Sequence, residues 1–157
     1  MIKRILVLSV ACVSFASVVT AAPKKQTVQP AKQVILAPDQ LEWKSGPAEL
    51  PTSQMAVLDG DPKKSGYFAV RLKLPAGTTI APHFHEGVER VTVISGTVKL
   101  AMGKTPDNPT VLPAGSYFAL APRTVHNAWV DKETVLQIAT NGPWSLKLVD
   151  QGEKKGK

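Results

Sequence analysis

Gly77-Thr-Thr-Ile-Ala-Pro-His83-Phe-His85-Glu-Gly-Val-Glu89, continued to Gly96, decides the reading of this chain. His83 and His85 stand two residues apart, and residues two apart in an extended strand share a face. The two imidazoles therefore project together while Phe84 turns the other way. Glu89 follows four residues after His85, across a Glu-Gly turn able to bring its carboxylate back. Neutral imidazoles with one carboxylate suit Mn, Fe, Ni, Cu or Zn better than Ca or Mg.

The chain has three histidines, and the third is His126. It follows a second Pro/Gly-rich passage, Pro113-Ala-Gly115-Ser-Tyr-Phe-Ala-Leu-Ala-Pro122-Arg-Thr-Val-His126. A lone His on a strand is more often a satisfied core or surface residue than a ligand. If His126 closes on the same point as the pair, every histidine is used by one site. Three His and one Glu then leave two positions on an octahedral ion.

The first stretch resembles the first cupin motif: Gly, five residues, His-x-His, three residues, Glu, six residues, Gly. Gly77, His83, His85, Glu89 and Gly96 fill each fixed His, Glu and Gly place, and Pro82 precedes the first His. The second stretch is similar to the second cupin motif, with Gly115 and His126 at the expected separation. It departs at Pro122, one place late, at Thr124, near where a second Gly is usual, and at Val130, which replaces an Asn. With flanking strands the resemblance covers roughly residues 65–141. It implies an all-β, double-stranded β-helix (jelly-roll) barrel of cupin type. It also implies that His83, His85, Glu89 and His126 are ligands to one divalent transition metal.

Composition bounds the rest. The chain of 157 residues is long enough for one domain. Met1-Ile-Lys3-Arg4, an apolar run from Ile5 to Val19 and small residues before Pro23 describe a secretory leader over residues 1–22, cleaved after Ala21 or Ala22. The run is too short to span a bilayer, which takes about 20 apolar residues. The expectation is a periplasmic or secreted protein. Cys12 is the single cysteine, so a mature chain has no disulfide and no thiolate chemistry. The formal net charge is +7, but residues 38–150 hold eleven basic and eleven acidic side chains. The excess lies in the leader and the two ends. That is not the basic face of a nucleic-acid binder.

Residues 23–37 read as a flexible segment whose Val34-Ile35-Leu36 ends in a strand docked on the barrel edge. Residues 38–150 read as a single barrel, and 151–157 as a basic tail. Short strands near Ala56–Leu58, Tyr67–Leu74, Arg90–Ser95, Val98–Met102, Thr110–Leu112, Tyr117–Leu120, Asn127–Val130, Thr134–Thr140 and Trp144–Val149 are separated by Gly/Pro turns, the punctuation of a barrel or sandwich. Phe68, Val70, Leu72 and Leu74 alternate onto one face and read as core. Parity puts Val91 and Val93 on the side of Glu89, turns Trp129 outward and gives Arg90 a structural role.

A metal in such a site polarises a carbonyl or activates water or dioxygen. Cupins with these ligands include oxalate oxidases and decarboxylases, dioxygenases and isomerases, so the resemblance implies a metalloenzyme acting on a small oxygen-bearing substrate, and a homodimer. Fold alone does not choose the reaction. A non-catalytic module holding a metal or small ligand is the alternative, and a structural or regulatory cupin with an empty site is a third. Glu86 is a candidate general base at the barrel mouth, or a solvated turn residue. Gln137 is a candidate contact to a bound molecule, or an outward one.

Overall fold

The computed structural model describes residues 33–149. The leader at 1–22, residues 23–32 and the tail at 151–157 lie outside the described residues. Among the described residues are eleven strands in two antiparallel sheets. One sheet holds, in spatial order, β1 (Lys44–Ser45), β2 (Gln54–Asp59), β3 (Gly66–Leu74), β10 (Thr134–Gly142), β5 (Glu89–Ser95) and β8 (Tyr117–Leu120). The other holds β11 (Lys147–Leu148), β4 (Thr79–Phe84), β9 (His126–Trp129), β6 (Thr97–Met102) and β7 (Thr110–Pro113). From β3 to β6 each strand changes sheet. The β6–β7 hairpin stays in one sheet, and the alternation then resumes to β11. This winding is the jelly roll expected from the motifs.

Alternation along β3 carries the packing. Phe68, Val70, Leu72 and Leu74 are buried, and they meet Val91, Val93, Leu136 and Ile138 of the same sheet. Ile80, Val98, Leu100, Ala128 and Val130 close the interior from the opposite sheet. Each fully buried side chain of this kind contributes about 1.5–3 kcal/mol. The apolar end therefore holds the two sheets together and leaves the other end free to carry polar groups.

Val34-Ile35-Leu36 corrects the sequence expectation. These residues pair with no strand and are exposed, Ile35 by 77%. Three apolar residues supply no partner ladder of their own. Pro38, which lacks an N–H, follows at once and opens a short 3-10 turn over Pro38–Gln40.

The two glycines that bound the first motif answer different constraints. Gly77 has φ +77 with open space where a Cβ would stand. Gly96 has φ +78, and a Cβ there would collide with Thr134 Oγ1 and lie 2.6 Å from the Glu133 carbonyl. Thr134 is itself fully buried and its Oγ1 accepts from the Thr97 N–H at 3.2 Å, so it has nowhere to retreat. Gly77→Ala should cost about 1 kcal/mol of folding stability, the left-handed backbone penalty alone. Gly96→Ala should cost about 3 kcal/mol, because a steric clash is added. Chemical denaturation of both variants measures this, and equal losses would show that the approach to Thr134 carries no weight.

Candidate metal centre

β4 and β9 bring the histidines together through a bulge. Ile80 pairs with Ala128 and His83 with His126, so β4 spends one more residue than β9 between the two pairs. The extra residue falls at Ala81-Pro82, where a missing Pro N–H breaks no ladder bond. As a result Ile80 and His83, three apart, both face inward. His85 lies just beyond the strand end on the same side, and Phe84 turns outward beneath the Arg123 guanidinium.

All three imidazoles are buried, and one ring nitrogen from each lies within 4.8 Å of the others. Each Nδ1 is engaged by a backbone carbonyl: His83 with Ala81 at 2.8 Å, His85 with Ser145 at 2.8 Å and His126 with Thr124 at 3.0 Å. A carbonyl only accepts, so each Nδ1 carries the proton and donates it. In a neutral ring the Nε2 lone pair is then free. Glu89, also buried, points at two of these atoms. Its Oε1 lies 3.4 Å from His85 Nε2 and its Oε2 lies 3.1 Å from His126 Nε2.

Lone pairs facing lone pairs at these distances need a cation or a proton between them. Among the described residues His85 Nε2 is buried with no hydrogen-bond partner. Ligands at right angles around an ion at about 2.1 Å sit roughly 3.0 Å apart, close to both Glu89 separations. The donor set thus fits a divalent transition metal, with His83, His85, His126 and Glu89 as the residues that would hold it.

The protonation energetics follow from the same crowding. Burial alone would raise the Glu89 carboxyl, but the His126 and His85 imidazoles outweigh it and hold it at about 2. Burial, and then the charge of His126, presses His83 down to about 4, against the pull of the Ala81 carbonyl. Burial also works against charging His126. The hydrogen bond and charge of Glu89 overcome it and lift His126 above its ordinary value.

The two further candidates are not brought to this point. Gln137 lies on the opposite face of β10 from buried Leu136 and Ile138, where its Oε1 accepts from Arg71 Nε at 3.4 Å. The outward reading of Gln137 therefore replaces that of a pocket contact. Glu86 is exposed, and its carboxylate takes Arg123 at 3.0 Å and Lys147 at 3.0 Å. The Lys147 hydrogen bond first, with Arg123 adding, holds its carboxyl below the usual range. That weakens it as a base. Its role is to tie the turn after His85 to the β8–β9 loop and to β11.

Arg123 reinforces this tie from the backbone. It sits in the left-handed region at φ 61, one residue before Thr124, and its N–H donates to the His85 carbonyl at 2.7 Å. A second neighbour leaves no mark in the sequence. Trp144 stacks on His85 with ring centroids 4.3 Å apart and planes 13° from parallel. Its place after Gly142-Pro143 marked only the end of a strand.

Comparison with known proteins agrees with the fold. A family model described as "Domain of unknown function (DUF4437)" matches residues 17–147. No curated protein matches the sequence. Among solved structures, an RmlC-like cupin from Shewanella frigidimarina is 17% identical with a TM-score of 0.56, over 70% of this chain and 91% of that one. The polyketide cyclase RemF from Streptomyces resistomycificus is 12% identical with a TM-score of 0.64, over 78% and 89%. An acetylacetone dioxygenase from Acinetobacter johnsonii is 19% identical with a TM-score of 0.61, over 86% and 88%. The barrel described above is a cupin fold.

In the metal-free protein the sign of the pH dependence follows from the shifts. His83 takes its proton near 6.5 when unfolded but only near 4 when folded, so stability falls as pH drops from 6.5 towards 4. Glu89, moved from 4.5 to about 2, removes more stability as pH falls through that lower window. His126 acts oppositely: its raised value adds stability below 6.5, lost as pH rises through the folded value. Thermal melts of EDTA-treated protein from about pH 7.5 to pH 3 should show this acid decline. His83→Asn keeps a donor for the Ala81 carbonyl and should flatten the limb between 6.5 and 4. An unchanged limb in that variant would show that His83 is not held neutral.

Proposed function

The chain belongs to the DUF4437 family and folds as a cupin, and from that premise we propose that it is a metal-dependent enzyme acting on a small oxygen-bearing molecule. The observation that carries this is the convergence of three buried imidazoles and one buried carboxylate inside the barrel. A divalent transition metal bound there supplies Lewis acidity and a site for dioxygen or substrate oxygen. The chain's own part is positional. The carbonyls of Ala81, Thr124 and Ser145 fix the tautomer and tilt of each ring. The burial of all three rings and of Glu89 limits the access of bulk water to them. Glu89, ionised well below neutral pH, offsets one of the two charges on the ion.

Oxidative chemistry is the reading that the acetylacetone dioxygenase of like fold supports, with β-diketones as the first substrates to try. A non-catalytic module that captures a metal or small ligand has one observation in its favour: Glu86, the candidate general base, and Gln137, the candidate contact to a bound molecule, both face elsewhere. The same proposal has residues 1–22 removed as a leader and the mature protein working in the periplasm or outside the cell as a homodimer. Among the described residues no helix is long and apolar enough to cross a membrane.

Purified mature protein should hold one transition-metal ion per chain. His83→Ala and His126→Ala should weaken metal binding by at least about 100-fold. With Mn, Fe, Ni, Cu or Zn loaded in turn, oxygen uptake and product analysis against β-diketones, phenols and carboxylates should find turnover that both variants lose. Stoichiometric metal without turnover on any of these would overturn the enzyme reading in favour of the binding module.

A further inference from the structure

The three imidazoles are not held in the same way. His83 Nδ1 donates to the Ala81 carbonyl and His126 Nδ1 to the Thr124 carbonyl, each two residues back. Each of these rings is oriented by its own stretch of chain. His85 Nδ1 donates instead to the Ser145 carbonyl, 60 residues further on. The Trp144 indole covers one face of the same ring, 13° from parallel at a centroid distance of 4.3 Å. His85 lies beyond the end of β4, and the Arg123 N–H holds its carbonyl but not its ring.

Both partners of the His85 ring belong to one short segment, residues 144–149. Its first N–H, on Trp144, donates to the Pro62 carbonyl at 2.8 Å, and its last, on Val149, to the Pro82 carbonyl at 2.8 Å. Between them β11 pairs Lys147 with Phe84 and Leu148 with His83, and Lys147 Nζ meets Glu86 at 3.0 Å. Leu146 is buried. The hold at β11 is slight. It is a two-residue strand at a sheet edge with both side chains exposed, and an ion pair in solvent adds little. Such edges open locally at lower cost than the core strands do. A shift of this segment removes both contacts of the His85 ring and neither of the carbonyls that orient His83 and His126.

We propose that residues 144–149 form a strap that positions His85, with Trp144 as a positioning residue, so that His85 is the one imidazole presented or withdrawn by a separate segment. Release of the strap leaves His83, His126 and Glu89 to hold the ion and opens one more place to a small molecule. The inference rests on the metal reading proposed above, and it puts control of that site in a segment that supplies no ligand.

Zinc affinity of the full chain, measured by competition with a chromophoric chelator, tests the strap. Trp144→Leu keeps apolar bulk but removes the stacked plane, and should weaken zinc binding by about 10-fold. Trp144→Phe keeps a stacked ring and should stay within about 3-fold of the original chain. A merely structural loss would act whichever ligands are present, so the same change is made in His85→Ala and in His126→Ala. In His85→Ala it should alter affinity by less than about 2-fold, while in His126→Ala it should keep its full effect. Lys147→Glu sets a like charge against Glu86, leaves the Trp144 ring in place and should show the same pattern at about 3-fold, which carries the test if Trp144→Leu does not fold. Equal losses in the two backgrounds, or no loss in a chain that binds zinc, overturn the strap and leave the metal centre standing. An original chain that takes up no zinc removes the metal reading and the strap with it.

Discussion

Four electron-pair donors held within one small, buried volume repel one another, and the barrel is arranged around that constraint. Three Nδ1–H groups are committed to backbone carbonyls, so three Nε2 lone pairs face inward beside a carboxylate. Protons relieve this only in part. Glu89 outweighs burial and lifts His126, while burial and then the charge of His126 press His83 towards neutrality. A divalent ion satisfies all four donors together. The aliphatic layer from Phe68 to Ile138 supplies the free energy that keeps such a cluster assembled without it.

Much of the fold was legible because strand periodicity and Gly/Pro turns act locally. Phe68, Val70, Leu72 and Leu74 face the core as alternation requires, and Tyr117–Leu120 forms the strand read from sequence. The shared face of His83 and His85 also follows from spacing alone. The bulge at Ala81-Pro82 does not. It depends on the register between β4 and β9, which only the assembled sheet fixes. Without it, parity would place Ile80 and His83 on opposite faces.

The misses have the same origin. Val34-Ile35-Leu36 has the composition of a strand, yet composition does not supply a neighbouring edge. Gln137 is a polar residue in an apolar strand, and its parity with Leu136 and Ile138 was the signal that turns it outward. Trp144 could not be placed from sequence, since its stacking on His85 depends on how the chain returns after β10. Arg123 takes a left-handed conformation close to the place where a glycine is usual. Its backbone bond to His85, its ion pair with Glu86 and its position over Phe84 compensate for the strain. That set of contacts spans three segments and leaves no pattern in any one of them.

X-ray absorption at the edge of the bound metal, on mature protein loaded with a single transition metal, tests the central claim most directly. The account predicts about three imidazole scatterers, with their outer-ring multiple scattering, and one carboxylate oxygen in a shell near 2.0–2.2 Å. Loss of one imidazole from that shell in His126→Ala is part of the same prediction. A shell of oxygen scatterers alone, unchanged in His126→Ala, would contradict it.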